Sequence, residues 1–247
     1  MKLIAVTMVR DEADIIGFTL RHLIHEGIDH IIVADNLSTD NTRAILDLFP
    51  SDRLTVVEDS EPAYNQDRKM SALALRAWQM GADWVLPFDA DEWWYSHDLT
   101  IATALDQLDR SVNVVEARGW DHMPIGSTTA NPYLNFPYRL PEPQRLPKVA
   151  FRAHPDASLH YGNHGVNLPG GTVTADDRLF YRHVQWRSLE QATRKIRQGN
   201  AALEVANVHW NYGTHWRKLA LLDDVELKEW WDALCDPANL VYDPVPM

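Results

Sequence analysis

Asp89, Asp91 and Glu92 fall within one four-residue stretch, Asp89-Ala-Asp-Glu92, directly after the apolar run Trp84–Phe88. Carboxylates at this spacing repel one another. The usual compensation is a hard divalent cation with oxygen ligands, and such a cation can grip a diphosphate and neutralise charge developing on it. A solvated acidic turn would carry the same residues, so the groups around the motif must decide between the two.

His183, in Tyr181-Arg-His-Val-Gln-Trp-Arg-Ser188, can complete an oxygen-dominated site for Mn²⁺ or a similar ion. His160 and His164, in Leu159-His-Tyr-Gly-Asn-His-Gly165, are the alternatives. No close pair of histidines on a helix and no cysteine cluster points to zinc. Arg187, Arg194, Lys195 and Arg197 surround the start of a helix, and Arg68 with Lys69 opens another. Each group reads either as a solvated basic face or as a phosphate contact at a helix N-terminus. The chain has no Gly-rich phosphate loop and no serine nucleophile elbow, so a bound nucleotide would be held by metal and side chains. The 10 tryptophans serve either core packing or sugar stacking.

The elements that must position these groups follow from periodicity. Strands are predicted over Lys2–Met8, His30–Ala34, Leu54–Glu58 and Trp84–Phe88. Helices are predicted over Ala13–Glu26, Asn41–Phe49 and Asn65–Met80. This alternation implies an α/β fold, with a mainly parallel, mixed sheet sandwiched by helices. Ligands of such sheets sit at the carboxyl ends of the strands, where Arg10-Asp11-Glu12, Asp35-Asn36 and Asp89–Glu92 all fall. Further on, a helix is expected over Leu99–Leu108, strands over Asn113–Ala117, Lys148–Arg152 and Leu179–Val184, and a long loop over 119–147. A helix over Ser188–Val205 opens with the capping-box pair Ser188 and Gln191. One helix and an extended tail should fill Trp210–Met247. A single domain over 1–210 is expected, with a nucleotide-sugar half at 1–115, an acceptor half at 116–210, and the tail at 211–247.

Composition sets outer limits. The 247 residues, 45% hydrophobic, suffice for one substantial core. A formal charge of −12 disfavours nucleic acid as the main partner. The single cysteine, Cys235, gives no disulfide framework and favours a reducing compartment. The N-terminal apolar stretch is short for a signal peptide, and no run reaches the length of a membrane span. A cytoplasmic location is the expectation.

With these residues in view, the chain resembles the family 2-like glycosyltransferases of the GT-A fold. It is most similar to the subgroup whose first strand ends in an NEA motif and whose acidic motif reads DADEF. The matching pieces are Val9-Arg-Asp-Glu-Ala13, Val33-Ala-Asp-Asn-Leu-Ser-Thr-Asp40, Gly81–Glu92, Gly162-Asn-His164, and His183 with Arg187-Ser188, in the family's order. The resemblance implies inverting transfer of a sugar from a nucleotide diphosphate sugar, UDP- or GDP-linked, to a glycan or other hydroxyl acceptor, with Mn²⁺ or Mg²⁺ as cofactor. It implies that Glu12 and Asp35 lie at the nucleoside, that Asp89 lies near ribose and metal, and that Asp91 and His183 are ligands. Thr7, Arg10, Asn36, Arg68, Arg187 and Lys195 complete the candidate nucleotide-sugar set. The sequence departs from the pattern at Asp11, where the family has Asn, and in lacking the downstream acidic motif that supplies the base in many relatives. His164, Glu92 and Asp121 are therefore the candidates for the group that takes the acceptor proton. Two other classes compete: a metal phosphohydrolase, with Asp11 as its only first-strand nucleophile, and a non-catalytic carbohydrate-binding protein.

Overall fold

The computed structural model describes residues 1–63, 65–125, 129, 131–206 and 213–245. Two compact units divide the chain. The first comprises residues 1–61, 66–119 and 144–182, the second residues 62–65, 120–143 and 183–247.

The first unit begins with β1 (Leu3–Val9), α1 (Ile16–His25), β2 (His30–Asp35), α2 (Thr42–Leu46), β3 (Leu54–Glu58), α3 (Gln66–Gln79) and β4 (Trp84–Pro87). β5 (Glu92–Tyr95) and α4 (Ile101–Asp106) follow, and then β6 (Val114–Met123), whose last four residues belong to the second unit. β1 lies between β2 and β4, and β3 flanks β2, all in parallel pairs. The register Val9↔Asp35↔Glu58 brings these strands to a common carboxyl edge. β8 (Lys148–Arg152) joins β4 and β6 in antiparallel pairs.

The pleat explains the burial. Leu3, Ala5, Ile31 and Val33 face one way, onto Ile16, Leu20 and Leu23 of α1 and Ile101 and Leu105 of α4. Ile4, Val6 and Ile32 face the other way, onto Met70, Leu73, Ala74 and Ala77 of α3. A parallel strand covered on both faces is a continuous apolar run, as β1 and β2 are. The α/β expectation holds: the sheet is mixed, mostly parallel and GT-A-like.

Differences from the expected elements are local. α2 covers only the middle of its expected span, and β6 runs on to Met123 into the expected loop. That loop also holds a 3₁₀ turn at Pro132–Leu134 and a two-residue strand, β7 (Tyr138–Arg139). β9 (Ser158–Leu159), β10 (Val166–Asn167) and β11 (Thr174–His183) complete the middle of the chain.

The second unit holds α5 (Leu189–Ala206), α6 (Thr214–Leu219), α7 (Asp224–Leu234) and β12 (Val241–Tyr242), which pairs with β7. Two helices stand where one was expected, because Asp223 and Glu226 form a complete capping box that starts α7 afresh. Trp210 lies outside the described residues. Gln191 N donates to Ser188 Oγ at 3.1 Å, as the capping pattern predicts, but the Gln191 amide oxygen accepts from Arg187 N rather than from Ser188. The core here is Met123, Trp186, Ala192, Ile196 and Leu227.

One half-buried group in the first unit gives the fold an acid-sensitive element. His22 on α1 donates from Nε2 to the Trp94 carbonyl at 2.6 Å. Burial, aided by His25 and Arg182 and opposed by that hydrogen bond, pushes its pKa down to about 4. Between the ordinary value of 6.5 and about 4, the unfolded chain takes up the proton more readily than the folded one. Stability therefore falls as pH drops through that window. The stability advantage of the wild type over His22→Gln, measured by urea unfolding, should shrink from pH 7 to pH 4. A gap that does not change with pH would show that His22 is not the group responsible.

Candidate active site

The polar groups of the first unit gather at the carboxyl edge of its parallel strands. Asp11 follows β1 in a left-handed conformation, φ 54°, which Asn and Asp tolerate better than most residues. Its Oδ1 accepts from Thr39 N at 2.6 Å, Thr39 Oγ1 at 3.2 Å and Asp40 N at 3.3 Å. One Asp11 oxygen thus ties the first strand end to the turn after the second, an acceptor that an Asn at this position would also offer. Glu12 N donates to Thr42 Oγ1 at 2.9 Å, and Asp35 Oδ1 caps Ser38 N at 3.3 Å. Asn36 donates to Asp59 Oδ2 at 2.9 Å and to the Glu61 carbonyl at 2.6 Å. Lys69 reaches the same segment, 2.7 Å from Asp59. Thr7, Asp11, Glu12, Asp35 and Asn36 are buried and Arg10 is exposed. Arg68 is spent on an exposed ion pair with Glu61, of the kind that contributes little to stability.

The acidic motif is more tightly built. Asp89 sits just beyond β4, and its Oδ2 takes the Lys148 ammonium at 2.6 Å. Its Oδ1 accepts from Asn163 Nδ2 at 3.2 Å and lies 3.5 Å from Gln66 Nε2. Lys148 also pairs with Glu92 Oε1 at 2.8 Å. The other Glu92 oxygen accepts from Asp89 N at 3.0 Å and Trp94 Nε1 at 3.1 Å. Burial alone would lower the Lys148 pKa, but Asp89, Glu92 and Tyr181 outweigh it and hold the ammonium well above the ordinary lysine range. Glu92 is fully buried and Asp91 is 2% exposed. His164 Nδ1 donates to the Pro147 carbonyl at 2.9 Å.

In the second unit, Asp121 Oδ1 accepts from His183 Nδ1 at 2.8 Å and from Gln185 Nε2 at 3.1 Å. Arg187 Nη1 turns back to the Val184 carbonyl at 3.3 Å, and Lys195 is half-buried on α5. A cleft of ≈ 550 Å³ beside the start of α5 is lined by Leu189, Glu190, Thr193, Arg194, Arg197 and Asp224. Arg197 and Asp224 are paired there at 2.7 Å.

Within the first unit, the parallel strands thus bring the Asp11, Asp35 and Asp89 segments to one edge. Gln66 and Lys148 are site residues that no motif flagged, and Asn163 stood within the Gly162-Asn-His164 piece without a role assigned to it. The one available signal was a lysine opening an otherwise apolar strand, Lys148-Val-Ala-Phe151. Among the described residues, no three His, Cys, Asp or Glu side chains converge as a complete cation cage. Mg²⁺ and Mn²⁺ sites on phosphate substrates need no such cage, since one or two carboxylates and the substrate's own phosphates serve. Of the acidic motif, Asp89 is the carboxylate with an exposed face, whereas Asp91 and Glu92 are enclosed.

Residues 4–161 match the model of glycosyl transferase family 2. The chain belongs to this family. No curated protein matches it. Among solved structures it is similar to mannosyl-3-phosphoglycerate synthase from Rubrobacter xylanophilus, at 16% identity and TM-score 0.41, covering 100% of this chain and 88% of that one. It is also similar to HddC from Yersinia pseudotuberculosis complexed with GMP-PN, at 10% identity and TM-score 0.44, covering 78% and 97%. A third is 4-diphosphocytidyl-2C-methyl-D-erythritolsynthase from Anaerococcus prevotii, at 15% identity and TM-score 0.39, covering 62% and 71%. No helix among the described residues is long and apolar enough to cross a membrane.

Proposed function

We propose that this chain is a metal-dependent inverting glycosyltransferase, moving a sugar from a UDP- or GDP-linked donor to a hydroxyl acceptor such as a glycan. The observation that carries the reading is the carboxylate cluster at one edge of a parallel sheet in a family 2 chain. Glu12, Asp35 and Asn36, with Thr7 and Arg10 beside them, serve the nucleoside end. Asp89 serves the ribose, and Asp91 and His183 serve as metal ligands. A bound Mg²⁺ or Mn²⁺ supplies counter-charge to the departing diphosphate. Arg68, Arg187 and Lys195 keep their place as candidate partners of phosphate charge.

In the reaction the acceptor oxygen bonds to the anomeric carbon as the bond from that carbon to the diphosphate oxygen breaks. The acceptor proton must go to a protein base. Glu92 is a poor base: it has no exposed surface and both its oxygens are engaged. The Pro147 carbonyl holds His164 in the Nδ1–H form, which makes Nε2 the basic nitrogen. His164 is assigned the base. Asp121 is assigned to orienting His183, as carboxylates commonly do for metal-ligating imidazoles. A phosphohydrolase is disfavoured because it needs either a dense ligand set, and none converges among the described residues, or an Asp nucleophile at the first strand, where Asp11 commits Oδ1 to the turn at 39–40.

The test is calorimetric titration with UDP and GDP, each with and without Mn²⁺, alongside thermal unfolding. One nucleotide should bind with Mn²⁺ and more weakly without it. At a hundredfold excess over Kd it should add about 2.7 kcal/mol of stability, a Tm rise of several degrees. No binding of either nucleotide under any condition would overturn the reading.

A further inference from the structure

We infer that Lys148, Asn163 and Gln66 are positioning residues that set the Asp89 carboxylate for the donor, and that Glu92 works with them rather than in proton transfer. The inference rests on the donor-binding reading above. It comes from how unevenly the network is exposed. Asp89 has a side chain 32% exposed, whereas those of Lys148 and Glu92 are 5% and 0% exposed. Gln66 and Asn163 are 3% and 0% exposed. Three segments, the start of α3, the start of β8 and the turn before β10, send buried polar groups toward one carboxylate that faces outward, and Glu92 at the start of β5 holds Lys148 and the Asp89 backbone N–H.

An ionised carboxylate has about four acceptor sites. Lys148 on Oδ2, with Asn163 and Gln66 on Oδ1, uses three of them and fixes the plane of the group. The shell is itself held in orientation. The Gln66 amide oxygen accepts from Gly162 N at 2.8 Å, which turns its NH₂ toward Asp89. Gly162 and Asn163 are both left-handed, with φ 73° and 58°. A Cβ at Gly162 would fall 2.5 Å from the His164 ring, so this turn needs glycine there. His164 anchors the Pro147 carbonyl immediately before Lys148. In the Gly162-Asn-His164 motif, Asn163 is therefore the residue that touches the acidic motif.

A stabilising role alone explains this poorly. Buried ion pairs seldom stabilise more than well-packed apolar residues would. A network that orders one outward-facing carboxylate gives what a binding site requires, a preorganised contact. Lys148 also sets one positive charge against Asp89 and Glu92, which reduces the negative charge an anionic diphosphate would meet at the acidic motif.

The experiment measures UDP and GDP affinity by calorimetry, with Mn²⁺, for wild type, Asn163→Gly, Asn163→Asp and the double variant Lys148→Met/Glu92→Gln. Thermal unfolding of each corrects for any unfolded fraction. Asn163→Gly keeps the left-handed backbone and removes one donor, so affinity should fall about tenfold. Asn163→Asp keeps the shape but turns a negative charge on Asp89, so affinity should fall further, on the order of 100-fold. The double variant, where it folds, should also lose tenfold or more. If wild type binds and both Asn163 variants bind equally well, the positioning role is overturned and donor binding stands. If wild type binds neither nucleotide, the donor-binding reading itself is overturned, and the inference with it.

Discussion

Lys148→Met should lower the unfolding free energy by about 3–5 kcal/mol, because it leaves a buried anion without its counter-charge. Glu92 is the costlier orphan. It has no exposed surface, whereas Asp89 can turn its carboxylate toward water. Adding Glu92→Gln to Lys148→Met should therefore recover part of the loss, since a neutral amide removes the charge that burial penalises. Glu92→Gln alone should cost less than Lys148→Met, because Lys148 keeps Asp89 at 2.6 Å. For a chain of this size, the first loss corresponds to a Tm drop of roughly 10 °C. Urea unfolding of the two single variants and the double variant closes the cycle. A Lys148→Met loss below about 1 kcal/mol, or a double variant no more stable than Lys148→Met, would show that the two carboxylates do not depend on this ammonium.

The same residue shows where the sequence stops being readable. β3 and β8 match their expected spans end to end, and β1, β2, α3 and β4 fall within a few residues of theirs, since each is set by a local apolar period. β5 was not anticipated. Trp93 and Trp94 follow an acidic run directly, and the strand exists only because it pairs with β11, some eighty residues later in the chain. The two-residue strands β7, β9, β10 and β12 likewise have no period to detect. The capping signal Asp223-x-x-Glu226 was present in the tail and would have divided it into two helices. The carboxylates of the acidic motif were legible because they are neighbours in sequence. Their partners were not: Lys148, Asn163 and Gln66 lie 59, 74 and 23 residues from Asp89. Only the fold makes them neighbours: an isolated Lys or Gln carries no pattern of its own, and the Gly162-Asn-His164 motif around Asn163 does not say what it touches.

His164→Ala should lower sugar transfer by about 10²–10⁴-fold while leaving donor affinity near the wild-type value. A general base contributes on that scale, and it acts on the acceptor proton rather than on the donor diphosphate, so binding and turnover separate. His164→Ala also removes the hydrogen bond to Pro147. A purely structural effect of that loss would pass through Lys148 to Asp89 and would weaken donor binding, which the same titration detects. The wild-type transfer rate should fall on the acid side, because a protonated imidazole cannot accept. Asp121→Asn gives the contrast. It weakens the hold on His183, whose Nδ1 lies 2.8 Å from the carboxylate, and it should reduce metal affinity about 10–100-fold. Excess Mn²⁺ should then restore much of its activity, but none of the activity lost in His164→Ala. Transfer from the bound nucleotide's sugar conjugates to a panel of methyl glycosides supplies the rates, and Mn²⁺ titration supplies the affinities. An active His164→Ala beside an Asp121→Asn that stays inactive at saturating Mn²⁺ would move the base to Asp121, with His183 as the imidazole that holds it in place.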